Sequence, residues 1–349
     1  MKIFINADFS LDGIKMLEAA GHEVKTGGWG FTGEISDEDT LITDIGDASC
    51  LIVGYEPVTQ KVLDSTDLKV IFSIRGGPRA NIDVDYCTAK GIPVFQTLGR
   101  EAVPVADFTM GQLISLTRKI TQTDRELRAG KFTAPDKEYG SDKDVIWDMS
   151  EEGPWQSRKG MELEGKTIGL IGLGTVGQQV AKRAKAFGMK VIAFDPYQKE
   201  ETFRQYGVER VNELEELLAS AHVITVHAKV DASNQGIIGD EQFKLMRDGV
   251  FILNNARAGI FAEGALRQAL RDGKLGGMAL DVFHSEPIKG NDEYFNYPNV
   301  ILTPHIAGAG RDVIYLQSVM IVNDLLLYLG GGMPKALVNP DVFRKSAGK

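Results

Sequence analysis

The fold is decided by residues 167–188, TIGLIGLGTVGQQVAKRAKAFG, together with residues 190–195, KVIAFD. An apolar, strand-like run leads directly into Gly172, Gly174 and Gly177, and a helical pattern follows. In such a turn the first glycine permits the tight bend, the second lets the backbone approach a pyrophosphate, and the third lets helix and strand pack closely. The N-terminus of the helix would add free N–H groups for the phosphates. The stretch therefore predicts a strand, a turn and a helix that bind a dinucleotide.

A single acidic residue, Asp195, ends this stretch. It lies 18 residues beyond Gly177, close to the offset of about 20 expected for the acid that binds ribose. A carboxylate accepts hydrogen bonds from ribose hydroxyls but repels a 2′-phosphate, and residues 196–198 supply no arginine to hold one. We therefore predict NAD rather than NADP as the cofactor. The alternative interpretation is a glycine turn without a ligand, in which Asp195 only caps the residues that follow.

Length and composition limit the class of protein. At 349 residues the chain exceeds a single compact core, which usually stops growing at about 250 to 300 residues, so two domains are expected. With 39 basic and 48 acidic residues the net charge is -9, which leaves no broad cationic surface for nucleic acid or anionic lipid. The hydrophobic share of 43% and the charged share of 25% are typical of a soluble globular chain.

Targeting signals and cysteines give further expectations. Apolar runs such as residues 223–228 and 250–256 are interrupted by polar residues well before the length needed to cross a bilayer, so we predict no transmembrane helix. The first residues, MKIFINADFS, lack the basic, apolar and small-residue order of a secretion signal, which predicts a cytoplasmic protein. Only Cys50 and Cys87 are present, too few for a disulfide framework or a cysteine-rich metal site.

Short β-branched runs alternate with helical patterns twice along the chain. The first alternation fills residues 1–101. It is followed by a long helical pattern at 102–130 and by a charged segment with Gly and Pro at 131–160, which is typical of a surface loop. The second alternation starts at residue 167, and its strands are apolar almost throughout, as parallel strands covered by helices on both faces are. A final amphipathic helix is predicted at 311–329.

These patterns predict an α/β fold class with two Rossmann-like or flavodoxin-like domains, each a doubly wound parallel sheet, and a cleft between them. Residues 1–101 together with 307–349 are expected to form a discontinuous substrate-binding, or catalytic, domain. Residues 102–306 are expected to form the NAD-binding Rossmann domain.

Three polar residues follow apolar runs of the second alternation. Arg257 comes after VFILNNA, Glu286 shortly after GGMALDVF, and His305 after NVILTP. Since ligands of an open parallel sheet lie beyond the carboxyl ends of its strands, the three side chains can meet at one edge. There a histidine paired with a carboxylate can exchange the hydroxyl proton of an alcohol, and an arginine can hold a substrate carboxylate or polarise its carbonyl. Taken singly, each could instead be structural: an ion-paired arginine, a turn glutamate or a core histidine.

Other histidines give a weaker signal. His284 lies two residues from Glu286 and is the rival of His305, while His222 and His227 flank the run VITV. None of them shows the spacing of two histidines three or four apart on a helix face, so no metal site is predicted. His227 either lines the cofactor cleft or faces solvent at the end of its strand.

Five segments, in this order and spacing, resemble the D-isomer-specific 2-hydroxyacid dehydrogenases: GLIGLGTVGQQVA, VITVHAKV, NNARAG, ALDVFHSEP and LTPHIAG. The resemblance covers nearly the whole chain. It implies that Arg257 binds the substrate, that Glu286 pairs with the histidine, and that His305 is the acid or base. It also implies that Asp281 contacts the nicotinamide end, and that the chain forms a homodimer through the nucleotide domain and its arm helix near 102–130.

The resemblance further places the segment SIRGGPRANID at the substrate, where Gly76 and Gly77 would offer backbone N–H groups to a carboxylate. Arg75 and Arg79 lie beside these glycines, and they make the segment more basic than it is in many family members. Either could receive a second anionic group such as a phosphate, and the alternative is a surface cation.

The predicted site residues fall into three groups. The catalytic residues are Arg257, Glu286 and His305. The cofactor-binding residues are Gly172, Gly174, Thr175, Val176, Gly177, Asp195, His227, Ala256, Asp281 and His305. The substrate-binding residues are Arg75, Gly76, Gly77 and Arg257.

The leading interpretation is an NAD-dependent oxidoreductase that transfers a hydride between nicotinamide and a D-2-hydroxy acid or 2-keto acid. A phosphorylated acid such as 3-phosphoglycerate is among the candidate substrates. The alternative is an NAD(H)-sensing corepressor-type binding protein of the same fold, which would bind dinucleotide with negligible turnover. Formate dehydrogenase is disfavoured because that relative uses glutamine where this chain has Glu286. The expected partners are a small-molecule acid and a second copy of the chain, with no nucleic acid and no membrane.

Overall fold

The computed structural model describes residues 1–133 and 150–343. The chain divides into two compact units. The first unit comprises Met1–Arg100 and Gly310–Lys349, and the second unit comprises Glu101–Ala309. Each unit has a parallel β-sheet of its own.

The regular elements alternate between strand and helix along most of the chain. The strands are β1 Lys2–Ile5, β2 Glu23–Thr26, β3 Cys50–Val53, β4 Val70–Ser73, β5 Val94–Gln96, β6 Thr167–Ile171, β7 Lys190–Phe194, β8 Glu209–Arg210, β9 Val223–Val226, β10 Val250–Asn254, β11 Leu275–Leu280 and β12 Val300–Leu302. The α-helices are α1 Leu11–Ala19, α2 Trp29–Thr32, α3 Glu38–Ile45, α4 Gln60–Asp64, α5 Val84–Lys90, α6 Ala102–Thr117, α7 Ile120–Arg128, α8 Pro154–Ser157, α9 Thr175–Ala186, α10 Glu200–Tyr206, α11 Leu214–Ser220, α12 Asp240–Leu245, α13 Ala265–Arg271 and α14 Asp312–Leu329.

The sheet of the first unit has the strand order β2-β1-β3-β4-β5, with every neighbouring pair parallel. β3 and β4 are buried along their whole length, because their β-branched and aromatic residues pack on a pleated surface between helices. On one face Ile321, Val322 and Leu325 of α14 join a cluster with Phe72 and Phe95. Burying each such side chain stabilises the fold by about 1.5 to 3 kcal/mol.

Helix α14 differs from the sequence expectation, which predicts no membrane-spanning segment. By length and composition alone, α14 is long and apolar enough to cross a membrane. A helix that covers a sheet needs one apolar face, which Ile321 and Val322 provide here, whereas Leu316 and Leu327 of the same helix are 40% and 47% exposed. Polar contacts also hold α14 within the first unit, since Ser318 Oγ accepts the Ser10 N–H at 2.9 Å.

The sheet of the second unit has the strand order β12-β11-β10-β9-β6-β7-β8, again with every neighbouring pair parallel. The order reverses where β6 meets β9, and ligands of doubly wound sheets bind at the carboxyl ends of strands at this point. β9 is buried throughout, as the apolar run VITV predicts. The predicted fold class, two doubly wound parallel-sheet domains, is confirmed.

The helical pattern at 102–130 is two helices, α6 and α7, and not the single helix that the sequence predicts. The break lies at Arg118 and Lys119, where Lys119 has a φ of 57°. This left-handed conformation interrupts the α-helical course of the backbone. Of the loop predicted at 131–160, residues 134–149 lie outside the described part of the chain, and α8 follows them.

Candidate active site

The glycine turn lies between β6 and α9. Gly172 has a φ of 98°, and a Cβ placed on it would come within 2.8 Å of the backbone of His227 and Ala228. A Cβ on Gly177 would lie 2.3 Å from the Gly172 carbonyl oxygen, whereas a Cβ on Gly174 meets no atom of residues 1–133 and 150–343 within 4 Å. Two of the glycines are therefore required by the packing of the protein itself. The third faces open space at the start of α9, where helix N–H groups are available to an anion.

Thr175 and Val176 are the first two residues of α9, and among the described residues no side chain caps the helix at Gly174. Their backbone N–H groups belong to the first turn, which has no intrahelical acceptor. Together with the space at Gly174, these N–H groups form a cradle whose shape and charge fit a pyrophosphate.

Asp195 follows β7 directly and is partly buried. Its Oδ2 accepts the Leu173 N–H at 2.8 Å, and its Oδ1 accepts the N–H groups of Tyr197 at 2.9 Å and Gln198 at 3.1 Å. The carboxylate thus ties the glycine turn to the end of β7 and also caps the residues that follow it. The capping role is the one that the sequence offers as the alternative, and the ribose contact stays a prediction.

His227 follows β9 and adjoins the glycine turn. Its Nε2 lies 3.0 Å from Thr225 Oγ1, and its Nδ1 is buried with no hydrogen-bond partner among the described residues. Burial lowers the pKa of His227 to about 3, so the ring is neutral. A buried ring nitrogen without a partner beside a phosphate cradle fits a site that a bound cofactor completes, and it does not fit a solvent-facing histidine.

The three residues predicted to be catalytic follow three neighbouring strands: Arg257 follows β10, Glu286 follows β11 and His305 follows β12. His305 Nδ1 lies 2.7 Å from Glu286 Oε2. Glu286 Oε1 accepts the Phe283 N–H at 2.9 Å. Arg257 is exposed, and its Nη1 donates to the carbonyl of Ala256 at 2.6 Å.

The electrostatics link all three side chains. Burial raises the pKa of Glu286, but the hydrogen bonds from His305 and Phe283, with the charges of His305 and Arg257, lower it more. The pKa of Glu286 therefore lies below its ordinary value, and the carboxylate is ionised beside the imidazole. Because Nδ1 is engaged by this carboxylate, the imidazole offers Nε2 for proton exchange, and 51% of the His305 side chain is exposed.

Asp281 follows β11 and has no solvent exposure. Its Oδ1 accepts from Thr303 Oγ1 at 2.6 Å and from the Ile306 N–H at 2.9 Å, and its Oδ2 accepts the Ala307 N–H at 2.7 Å. Sequence reasoning assigns Asp281 only to the nicotinamide end, which stays a prediction. The hydrogen bonds to the segment that carries His305 are not visible in the sequence.

The predicted substrate residues of the first unit follow β4. The guanidinium of Arg75 lies 5.0 Å from the centre of the Tyr55 ring, and Gly76 and Gly77 are exposed. A Cβ on either glycine would meet no atom of the described residues within 4 Å. Arg79, the second candidate for an extra anion, pairs with Asp85 at 2.9 Å on the surface. This contact matches the alternative of a surface cation for Arg79.

Comparison with known families identifies the second unit. The family model described as "D-isomer specific 2-hydroxyacid dehydrogenase, NAD binding domain" matches residues 110–307, more than half of the chain. The chain belongs to this family. The family membership that the sequence motifs indicate is thereby confirmed. The matched residues form an NAD-binding domain, which also confirms the prediction of NAD as the cofactor.

The similarity to named proteins and to a solved structure covers nearly the whole chain. A D-3-phosphoglycerate dehydrogenase of Methanocaldococcus jannaschii is 35% identical, over 100% of this chain and 62% of that protein. A glyoxylate reductase of Thermococcus litoralis is 31% identical, over 99% of this chain and 98% of that protein. The crystal structure of the TT0316 protein from Thermus thermophilus superposes with a TM-score of 0.76 and 28% identity, covering 97% of this chain and 100% of that one. The chain therefore spans less than two thirds of the phosphoglycerate dehydrogenase and nearly all of the other two.

Proposed function

We propose that this protein is an NAD-dependent dehydrogenase that interconverts a D-2-hydroxy acid and the corresponding 2-keto acid. The observation that carries the proposal is the contact of 2.7 Å between His305 Nδ1 and Glu286 Oε2, at the edge of an NAD-binding sheet with Arg257 beside them. The named relatives, a dehydrogenase and a reductase, support this function and do not favour the corepressor-type alternative.

Each of the three side chains has one task in this reaction. His305 takes the hydroxyl proton at Nε2 during oxidation and returns it to the carbonyl oxygen during reduction. Glu286 holds Nδ1 and stabilises the charged imidazolium, because its lowered pKa keeps it anionic. Arg257 binds the substrate carboxylate or polarises the carbonyl through its paired N–H donors. NAD, when bound, supplies the acceptor or donor of the hydride.

The residues that would hold NAD lie along the carboxyl edge of the second sheet. The glycine turn and the start of α9 bind the pyrophosphate, and Asp195 binds the ribose through lone pairs that its backbone hydrogen bonds leave free. His227 donates or accepts through Nδ1, which has no partner among the described residues. The full proposed set is Gly172, Gly174, Thr175, Val176, Gly177, Asp195, His227, Ala256, Asp281 and His305.

The substrate carboxylate is also bound by the backbone N–H groups of Gly76 and Gly77, since both residues are exposed and a Cβ added to either would meet none of the described residues within 4 Å. Arg75 would bind a second anionic group. Its guanidinium lies over the Tyr55 ring and forms no ion pair with an acidic residue in the described part of the chain. Arg79 is the weaker candidate because Asp85 already neutralises it. A phosphorylated 2-keto acid is the substrate class that would use Arg75.

The reaction is tested by oxidation of NADH with a panel of 2-keto acids, followed by the loss of NADH absorbance. We expect turnover with at least one acid, and a loss of at least about 100-fold in His305→Ala, since general acid catalysis contributes typically 10²- to 10⁴-fold. His284→Ala is the matched control, because His284 is an exposed histidine of the same loop as Glu286 and should leave turnover unchanged. Turnover that survives His305→Ala, or its absence with every acid, would show that the proposal is wrong.

The second anion is tested by comparing 3-phosphohydroxypyruvate with hydroxypyruvate. If Arg75 binds a phosphate, Arg75→Ala should raise the KM of the phosphorylated acid alone by about 10-fold or more, the loss typical of a hydrogen bond to a charged group. Arg79→Ala is the control and should change neither KM. Equal effects of Arg75→Ala on both acids would contradict the assignment.

We also propose a cytoplasmic homodimer joined through α6 and α7, with no nucleic acid and no membrane as partner. Exposed apolar side chains on these helices support the dimer, among them Val103, Ile120 and Leu127, which are 44%, 52% and 54% exposed. The net charge of -9 disfavours nucleic acid. Light scattering that reports the mass of a single chain at micromolar concentration would rule out the dimer.

A further inference from the structure

The segment that carries His305 is bound to a buried carboxylate on the preceding strand. Asp281 has no solvent exposure, and both of its oxygens accept hydrogen bonds from residues on either side of the histidine. The donors are the Thr303 hydroxyl at 2.6 Å, the Ile306 N–H at 2.9 Å and the Ala307 N–H at 2.7 Å. Three hydrogen bonds to one buried carboxyl group therefore hold the turn that contains His305.

The backbone of His305 has a conformation that needs such support. Its φ is 56°, in the left-handed region that residues other than glycine rarely adopt. Unfavourable backbone of this kind persists only where the surroundings enforce it, and it concentrates at active sites. A return of φ to negative values would rotate the Cα–Cβ bond and separate the imidazole from Glu286, which it contacts at 2.7 Å. The turn thus determines where the ring points.

Asp281 is itself part of a longer buried chain of hydrogen bonds. Thr303 Oγ1 donates to Asp281 and accepts from Gln112 Nε2 of α6 at 3.3 Å. Gln112 is 6% exposed, and the Thr303 hydroxyl proton has a single orientation that satisfies both contacts. The carboxylate, the hydroxyl and helix α6 therefore hold the His305 turn as one assembly within the second unit.

We propose that Asp281, acting with Thr303, is a positioning residue that holds the His305 turn in its left-handed conformation and keeps the imidazole on Glu286. The inference rests on the proposed function, because it concerns the histidine that we assign as the acid or base. This positioning role differs from a contact between Asp281 and the nicotinamide, because the groups that Asp281 binds are those of residues 303–307 around His305. The two roles make different predictions for variants of Thr303, which alter the assembly and leave the Asp281 carboxylate in place.

The test compares Asp281→Asn, Thr303→Val and Thr303→Ser in the full chain. Asparagine places an NH₂ group against donors that need an acceptor. We expect kcat to fall roughly 100-fold, because a displacement of a catalytic group by about 1 Å can slow a reaction by that factor. Valine removes one hydrogen bond of three, and kcat should fall roughly 3- to 10-fold, with serine restoring it. The KM of the keto acid should change less than threefold in each. Thr117→Val is the matched control, because Thr117 is a buried threonine of α6 whose hydroxyl donates to the carbonyls of Leu113 and Ile114 within the same helix.

A second readout needs neither turnover nor cofactor. The chain has five histidines, so the ring signals are few enough to assign by ¹³C–¹H NMR, with His305→Ala identifying its own signal. In the protein without cofactor, Asp281→Asn and Thr303→Val should both shift the His305 signal, while Thr303→Ser and Thr117→Val should not. If Asp281→Asn fails to fold, the Thr303 pair decides the question alone.

Binding of NADH and of ADP-ribose separates the positioning role from a nicotinamide contact. The positioning role by itself predicts that the ratio of the two affinities in Asp281→Asn stays within about threefold of the wild-type ratio, and the additional nicotinamide contact proposed above would weaken NADH more than ADP-ribose. A His305 signal unmoved by Thr303→Val, or an Asp281→Asn variant whose only defect is weaker NADH relative to ADP-ribose, would overturn the inference. If the wild type reduces no 2-keto acid, the proposed function fails, and the NMR comparison still tests the turn.

Discussion

Alanine substitutions at Gly174 and Gly177 should separate the two tasks of the glycine turn. In Gly177→Ala the new Cβ would lie 2.3 Å from the Gly172 carbonyl oxygen, so one of the two backbone segments has to shift. Overpacking of this kind costs about 1 to 3 kcal/mol. For a unit of this size the melting temperature should fall by about 2 to 4 °C for each kcal/mol.

The Gly174→Ala variant should behave in the opposite way. Gly174 has a φ of -70° and an extended backbone that alanine adopts readily, and the new Cβ meets no atom within 4 Å in the part of the chain that the structure describes. The free energy of unfolding should therefore stay within about 0.5 kcal/mol of wild type. The added methyl group fills the space into which the pyrophosphate must come, so we expect NADH to bind at least about tenfold more weakly, a loss of about 1.4 kcal/mol.

The assays are thermal unfolding without cofactor and titration of NADH by its fluorescence. Each variant is the control for the other, since both replace a glycine of the same turn by alanine. A Gly174→Ala protein that binds NADH as tightly as wild type would refute the assignment of the turn to the pyrophosphate. A Gly177→Ala protein with an unchanged melting temperature would refute the packing argument.

Three further predictions concern His227, Arg267 and Arg257. Because burial lowers the pKa of His227 to about 3, the folded state stays neutral while the unfolded state takes up a proton below its ordinary value of 6.5. The free energy of unfolding should fall as the pH drops from 6.5 toward 3, by up to about 1.4 kcal/mol per pH unit. In urea titrations, the free energy of unfolding of His227→Gln should depend less steeply on pH than that of the wild type. Arg267 donates to Asp292 at 2.7 and 2.8 Å, so Arg267→Lys should lower the free energy of unfolding by about 1.5 to 3 kcal/mol, with unchanged NADH affinity, as measured by denaturation and by titration. Arg257→Lys keeps the charge but loses the paired donors, so the KM of the keto acid should rise about 10- to 100-fold in steady-state kinetics; a KM within twofold of wild type would contradict this role.

The central strands could be predicted from the sequence because they are apolar along their whole length. The runs that form β3 and β9 are buried at every residue, and burial on both faces leaves this continuous pattern. Strand β2, at the edge of the first sheet, has no such signal, because Glu23–Thr26 is exposed or half-buried along its length. The two residues of β8 are too few to form a pattern. Edge strands need little apolar surface, and their pairing is set by the neighbouring strand.

The break between α6 and α7 could not be predicted for a different reason. The sequence at Arg118 and Lys119 has neither glycine nor proline, the residues that usually mark the end of a helix. The left-handed φ of Lys119 is imposed by the tertiary structure, since the Met161 N–H donates to Thr117 O at the end of α6 and Gly160 packs against it. Contacts between residues far apart in sequence leave no local signal.

In the candidate site, the rule that functional residues follow parallel strands is enough to predict that Glu286 and His305 come together. It cannot predict how the loops are held. Strand-end loops have no sheet ladder to satisfy their N–H groups, so these groups need other acceptors. In this protein the acceptors are side chains of the residue types that also bind ligands: Asp195 accepts from Leu173, Glu286 from Phe283, and Asp281 from the His305 loop.

This double use explains why residue type and position alone leave the role of a strand-end acid undecided. An acid that holds a loop and an acid that contacts a ligand look alike in the sequence, and one carboxylate has enough lone pairs to do both. The hydrogen bonds distinguish them by degree. Asp281 is fully buried with three donors on its two oxygens, while Glu286 keeps 37% of its side chain exposed beside His305. The more a carboxylate is enclosed by its own loop, the more its loss should disturb geometry and the less it should disturb ligand affinity. Substitution of Asp281 should therefore lower kcat, and substitution of Glu286 should alter the pH dependence of turnover, although the two acids follow the same strand.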